Sequence, residues 1–244
     1  MDDAVSRETP PAPTTALGVF PHSLELAERF AHLLADQGVT RGLIGPREVP
    51  RLWERHLLNC ALLGRAIPEG LDVCDIGSGA GLPGLVLALS RPDLDVTLVE
   101  PLSRRTTFLV EAMAALGLTN VEVIRARAEE LHGLREFSVV TSRAVAPLDR
   151  LLGWSMPLVR QGGVLVAIKG ATVHDEIRTA QNALSQCGAG AVSVETYGSD
   201  LIDPPTTVIR VVADGPSQLG LASASVAKGG SELKSKSKTR GKGR

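Results

Sequence analysis

The segment Asp75-Ile76-Gly77-Ser78-Gly79-Ala80-Gly81-Leu82-Pro83-Gly84 constrains this chain more than any other. It follows an apolar run at 71–76 that reads as a buried strand, and it opens an apolar stretch at 85–90 that reads as a helix. Glycines at 77, 79, 81 and 84 let the backbone turn sharply and let a ligand approach with no Cβ in the way. A turn of this kind, at the carboxyl end of a strand, is where open α/β sheets bind ligands.

The remaining pattern agrees with such a sheet. Short apolar strands are expected at 96–99, 121–124, 138–141, 163–168 and 206–212, with helices at 104–116, 148–159 and about 174–187 between them. Strands alternating with helices imply a mostly parallel sheet covered on both faces. Upstream, Leu26, Phe30 and Leu33/Leu34 recur at helical spacing. A second helix is expected from Pro50 to about Gly64, with Leu52, Trp53, Leu57 and Cys60 on its inner face. Residues 1–20 are rich in Pro, Thr and Ala without periodicity and are expected to be disordered. The organisation expected is one domain over 21–213, with helices at 21–66 and an α/β core at 71–213, followed by a disordered tail at 214–244.

Two cofactor classes compete for the glycine turn. Gly79-Ala80-Gly81-Leu82-Pro83-Gly84 satisfies the dinucleotide fingerprint, and Glu100 falls where a ribose-binding acid belongs. Three features favour S-adenosylmethionine. Asp75 would repel a pyrophosphate but can receive an ammonium group, directly or through water. Pro83 removes one backbone N–H that a pyrophosphate would use. Some 70 residues of mostly helical chain precede the first strand, and no room for a separate substrate domain follows. Glu100 is then the carboxylate that accepts both ribose hydroxyls. The loop after the third strand, Arg125-Ala126-Arg127-Ala128-Glu129-Glu130, is placed to cap the adenine edge through backbone groups of Ala128 and Glu129. A nicotinamide-dependent oxidoreductase and a non-catalytic RNA-binding module remain the alternatives.

Charge adds one asymmetry. The net charge is −1, yet residues 228–244 carry seven basic residues and one acid, leaving about −7 on the rest. A basic tail on an acidic body suits contact with nucleic acid. Aromatics are only 3% of the chain, which argues against a surface that stacks bases on rings. No apolar run approaches the roughly 18 residues of a membrane-spanning helix, and the acidic, proline-containing start does not read as a secretory signal. Three scattered cysteines suggest neither a disulfide framework nor a metal site, so a reducing cytoplasmic location is expected.

These residues resemble a known family. The glycine segment, Arg91-Pro92, Ser142-Arg143-Ala144 and Lys169-Gly170 together resemble the bacterial ribosomal small-subunit methyltransferase G family. Trp53-Glu54-Arg55-His56-Leu57-Leu58-Asn59 is similar to that family's helical Arg-His-Ile-Leu-Asp motif, although Asn59 and Cys60 stand where Asp and Ser are common. An Asn-Leu-Thr segment often found before the second helix is replaced by Gly42-Leu43-Ile44-Gly45-Pro46.

The resemblance implies a Rossmann-like class I methyltransferase fold with a seven-stranded sheet. It implies S-adenosylmethionine-dependent methylation of guanine N7 in 16S ribosomal RNA, with the small subunit as partner. It also implies cofactor contacts at Gly77, Leu82, Ala128, Glu129 and Arg143; Asp75, Gly79 and Glu100 join these from the residues themselves.

Guanine N7 has a lone pair and no proton, so no general base is needed and positioning becomes the main requirement. Arg143, at the end of the fourth strand, is the leading functional side chain, placed to hold the methionine carboxylate or guanine O6. Lys169, at the end of the fifth, is a candidate for O6 or a phosphate. Arg104 and Arg105 are candidates for RNA phosphates, and His56 reads as a packing or interhelical hydrogen-bonding residue.

Overall fold

A computed structural model of the chain describes residues 9–219. Seven strands, β1 (Asp72–Ile76), β2 (Asp95–Val99), β3 (Val121–Ile124), β4 (Phe137–Arg143), β5 (Val159–Ile168), β6 (Ala189–Tyr197) and β7 (Thr206–Ala213), form one sheet. Their order is β3-β2-β1-β4-β5-β7-β6. The first five strands pair in parallel, while β7 runs antiparallel to both β5 and β6.

Period-two alternation divides the apolar side chains between two layers. On one face, Val73, Val164, Val166 and Val208 meet α1 (Leu24–Leu33), α2 (Asn59–Leu62), α3 (Gly84–Ser90) and α4 (Ser103–Leu116). On the other, Cys74, Ile76, Leu165, Ala167 and Ile209 pack under α5 (Leu148–Ser155), α6 (Val173–Thr179) and α7 (Gln181–Gln186). Leu57, Leu85, Phe108 and Leu152 are essentially fully buried, each contributing about 1.5–3 kcal/mol of transfer free energy.

Several boundaries differ from the sequence reading. The segment at 9–20 is ordered, not disordered. A 3-10 turn, Thr14–Gly18, places Ala16 and Phe20 in the core. Phe20 lies edge-on to Trp53 with ring centroids 6.4 Å apart, and the Trp53 indole N–H donates to Pro10 O at 2.9 Å. A Pro-rich chain without periodicity still packs here, because it covers apolar faces the following helices leave open.

The second helical stretch begins at Pro46 rather than Pro50 and continues as a wide turn, Leu52–Leu58, into α2. The helix expected at 174–187 is two pieces divided at Ala180. Strand β6 had no counterpart in the periodicity. It is an edge strand, half-exposed along its length, with polar Ser193 and Glu195 and a register shift near Ala189. Residues 214–219 also have a place: Asp214 and Gly215 donate backbone N–H groups to Gly188 O, and Gln218 to Gln186 O. The basic residues at 228–244 lie outside the described residues. Among the described residues no helix is long and apolar enough to cross a membrane.

Candidate functional site

Two cavities open at the carboxyl ends of the parallel strands and share the wall Arg143-Ala144-Val145. The smaller, about 440 Å³, lies over β1 and β2 and is lined by Gly77, Glu100, Arg105, Ala128 and Glu129 among others. The larger, about 760 Å³, lies between the N-terminal helices and the ends of β4 and β5, with Glu48, His56, Asn59, Lys169 and Glu176 on its walls.

The glycine turn shapes the first cavity. Gly77 adopts φ +67°, and its amide donates to Val99 O at 2.8 Å, which locks the turn against the end of β2. A Cβ at Gly77 would come within 3.1 Å of Val145, so the missing side chain lets the β1 and β4 loops approach. Gly84 serves packing. A Cβ there would lie 2.2 Å from Leu98 and 2.7 Å from Asp75 Oδ2, a collision that seats α3 directly on β1 and β2 only when the residue is glycine.

Asp75 and Glu100 are both buried carboxylates with different surroundings. Asp75 is completely buried; its Oδ2 accepts the Gly84 amide at 3.0 Å, while its Oδ1 has no partner. Burial pushes its pKa up to about 7, against the lowering effect of the Gly84 amide. Glu100 is 1% exposed yet lines the cavity. Its oxygens accept the amides of Gly79 and Leu102, both at 3.0 Å, and Arg105 stands 3.5 Å away. Arg105, read from sequence as an RNA contact, therefore faces the cavity beside Glu100, whereas Arg104 is exposed at the start of α4. Gly79 and Leu82 belong to the loop behind the wall, with the Leu82 side chain in the core. Ala128 and Glu129 open a 3-10 turn, Ala128–Leu131, steadied by the Glu130 carboxylate accepting the Arg127 amide at 3.1 Å.

The β4 loop is held from the other side. Ala144 has φ +53°, the one non-glycine residue with positive φ among the described residues, a conformation that surroundings must enforce. The Lys169 ammonium donates to Ala146 O at 3.0 Å and to Glu176 Oε2 at 2.7 Å, and Glu176 Oε2 also accepts the Leu148 amide. The Lys169 side chain is thus largely covered and paired, bracing the loop at the larger cavity rather than standing free in solvent.

Arg143 is fixed by two acceptors, one of them held in turn by a third residue. Its guanidinium donates to Arg55 O at 3.0 Å and to His56 Nδ1 at 2.7 Å, and His56 Nε2 meets Glu48 Oε2 at 2.8 Å. Burial, then the Arg143 cation, lowers the His56 pKa to about 4, so the ring is neutral near pH 7. Burial tends to raise the Glu48 pKa, but the His56 hydrogen bond and the Arg55 charge outweigh it and hold the group below its ordinary value.

Of the residues singled out from sequence, Gly77, Glu100, Ala128, Glu129 and Arg143 converge on the smaller cavity, and Arg143 and Lys169 on the larger. Glu48 and Glu176 on the larger cavity, Trp154 on the smaller and Val145 on the shared wall were not anticipated. Only Glu48 left a signal: it lies eight residues before His56 on a continuous helical stretch, two turns along one face.

Comparison with known proteins bears on the same span. A family model described as rRNA small subunit methyltransferase G matches residues 23–202. Proteins of that name in Nocardioides sp. (strain ATCC BAA-499 / JS614) and Corynebacterium efficiens are 57% and 48% identical over 242 and 217 residues. The alignments cover 99% and 84% of this chain, and 97% and 94% of those relatives. Among solved structures, an O-methyltransferase family protein from Burkholderia thailandensis aligns with a TM-score of 0.52 over 81% of this chain and 69% of its own, at 15% identity, a likeness of fold alone. With its Rossmann-like class I methyltransferase sheet and a match extending from the first helix past the sixth strand, the chain belongs to the rRNA small subunit methyltransferase G family.

Proposed function

We propose that this protein transfers a methyl group from S-adenosylmethionine to N7 of a guanine in 16S ribosomal RNA. The observation that carries the reading is the meeting of two cavities at Arg143-Ala144-Val145, one bordered by the glycine turn at Gly77, the other opening towards the N-terminal helices. A group-transfer enzyme needs such an arrangement, because donor and acceptor must meet in line while each is held by its own walls.

The residues around the smaller cavity suit the proposed cofactor. Asp75 does not itself line the cavity; at the start of the glycine turn its buried Oδ1 has no partner and is the acceptor proposed for an ammonium, directly or through water. Glu100 retains acceptor capacity on both oxygens for ribose hydroxyls, since each carboxylate oxygen takes two hydrogen bonds. Gly77 keeps a Cβ out of the approach, and the backbone of Ala128 and Glu129 borders the cavity where an adenine edge would lie. When bound, S-adenosylmethionine supplies an electrophilic methyl on a sulfonium.

Arg143 has donors to spare. Two of its five N–H groups are spent on Arg55 O and His56, leaving three for guanine O6 or the methionine carboxylate. N7 itself carries a lone pair and no proton, and so needs no base. Lys169 keeps the loop behind Arg143 in place and has an N–H in reserve for substrate. Arg104 is the candidate for an RNA phosphate. Arg105 stands 3.5 Å from the Glu100 carboxylate, which points its charge towards the smaller cavity. The cytoplasm, where ribosomal subunits are assembled in bacteria, is the proposed place of action.

The test is transfer of labelled methyl to small subunits or to their RNA, with mapping of the modified nucleotide. A 7-methylguanine in 16S RNA is expected. Methylation at another base or another atom would overturn the assignment of target.

A further inference from the structure

We infer that Glu48 and His56 are positioning residues for Arg143, aiming its guanidinium at the junction of the two cavities through an imidazole of fixed tautomer. The inference rests on the reading above, in which Arg143 stands between cofactor and target base. Geometry alone assigns the proton. An arginine has only donors, so the 2.7 Å contact from Arg143 to His56 Nδ1 requires a bare Nδ1. The remaining proton of the neutral ring then sits on Nε2 and is donated to Glu48 Oε2 at 2.8 Å.

The chain is well supported on both flanks. Glu48 lies on the 3-10 turn Pro46–Arg51, where Arg55 also donates to it at 3.1 Å. His56 is 8% exposed on the wide turn Leu52–Leu58, and the same turn offers Arg55 O as the second acceptor for Arg143. Two acceptors at a fixed spacing define the plane of a guanidinium as well as its position, which a single contact does not. The N-terminal helices therefore do more than cover one face of the sheet: they set the direction in which Arg143 presents its free donors.

A merely structural staple between two helical turns would make different predictions. His56→Phe keeps the ring's bulk and removes both hydrogen bonds. It should lower kcat for methyl transfer by about 30-fold, because small errors of placement are expensive in group transfer, while cofactor Kd and RNA KM stay within about threefold. His56→Gln, which retains one acceptor and one donor, should recover most of that loss. In an Arg143→Lys background His56→Phe should cost no more than about threefold, since the group it positions has gone. An equal loss in both backgrounds would overturn the inference, as would a loss explained by a lowered Tm and weakened cofactor binding, or no rescue by Gln.

A second measurement does not depend on turnover. In ¹⁵N-histidine-labelled protein, the resonance missing from His56→Gln should report a protonated Nε2 and an unprotonated Nδ1 at neutral pH. The opposite tautomer, or an imidazolium, would refute the positioning pair even if methylation proceeds. Absence of methyl transfer by the unaltered protein would instead refute the functional reading and leave this spectrum to decide the pair.

Discussion

The 440 Å³ cavity is lined by the loops that follow β1 to β4, with Arg105 and Trp154, whereas the 760 Å³ cavity draws residues from the N-terminal helices, the ends of β4 and β5, α5, α6 and the approach to β7. Gly77, Ala128 and Glu129 line the smaller cavity, and Glu100 is held by the amides of Gly79 and Leu102. Across Arg143 the construction reverses. Glu48 and His56 come from the N-terminal helices, Lys169 from the end of β5 and Glu176 from α6, and each is fixed by another side chain or by a distant carbonyl. On the function proposed above, the cofactor meets the strand-end loops and a sugar-binding acid, and the substrate meets side chains drawn from elements far apart in sequence.

The strongest way to break this comparison is at the shared wall. Arg143→Ala should reduce methyl transfer by about 10²–10³-fold, as removal of a charged donor at a reacting centre does, and should leave the fold intact because the guanidinium is only half-buried. Circular dichroism and labelled-methyl assays on small subunits check both halves. Near-normal turnover would mean that the two cavities do not meet functionally at this residue.

Glu100 comes next. Glu100→Gln should weaken S-adenosylmethionine binding by about 10–100-fold, the cost of losing charge-assisted hydrogen bonds, with RNA affinity unchanged. Calorimetry with the cofactor and filter binding with RNA separate these. A loss shared by both ligands would erase the division between the cavities.

How far each side was legible in the sequence follows from the same contrast. The glycine turn, Asp75 and Glu100 lie within 26 consecutive residues, and their roles follow from local rules about strand ends and backbone freedom. The parallel strands were visible for a related reason: buried on both faces, they are continuous apolar runs. β6 was not, since an edge strand with polar faces carries no such run. The ordering of residues 9–20 also escaped notice, because what holds Phe20 and Pro10 is Trp53, remote in sequence. Arg143 was identifiable by its place at a strand end. Its partner His56 lies 87 residues away, a pairing no periodicity encodes. The place of Arg105 beside Glu100 was not legible, because an arginine opening a helix looks the same in sequence whether it faces solvent or a carboxylate.

A smaller effect tests the glycine-turn side through pH. Asp75 has its pKa raised to about 7, chiefly by burial, so the unliganded fold holds that proton more tightly than the unfolded chain does. The sign follows: stability from this group is greatest at low pH and declines as pH rises from about 4 to about 7. An ammonium ligand needs the carboxylate, so binding must expel the proton. Cofactor affinity should therefore climb by up to about tenfold per pH unit between about 5 and 7 and level off near neutrality. Asp75→Asn should bind more weakly and lose that slope. A slope that persists in the Asn variant would place the ammonium elsewhere.

The finest division falls between two neighbours at the start of α4. Arg104 is exposed, and Arg105 stands beside Glu100 with its Nε buried and without a partner. If Arg104 neutralises one RNA phosphate, Arg104→Ala should weaken RNA binding a few-fold and reduce the salt slope, log Kd against log salt, by roughly 0.7–0.9, with cofactor Kd unmoved. Arg105→Ala should do the reverse. Glu100 would then face the cavity with its charge uncompensated, and the change should appear in cofactor binding while the salt slope of RNA binding stays as it was. Reciprocal outcomes from adjacent residues would draw the border between the two halves of the site at single-residue resolution. If both substitutions flattened the salt slope alike, the Arg105–Glu100 contact would be incidental and both arginines would belong to the RNA.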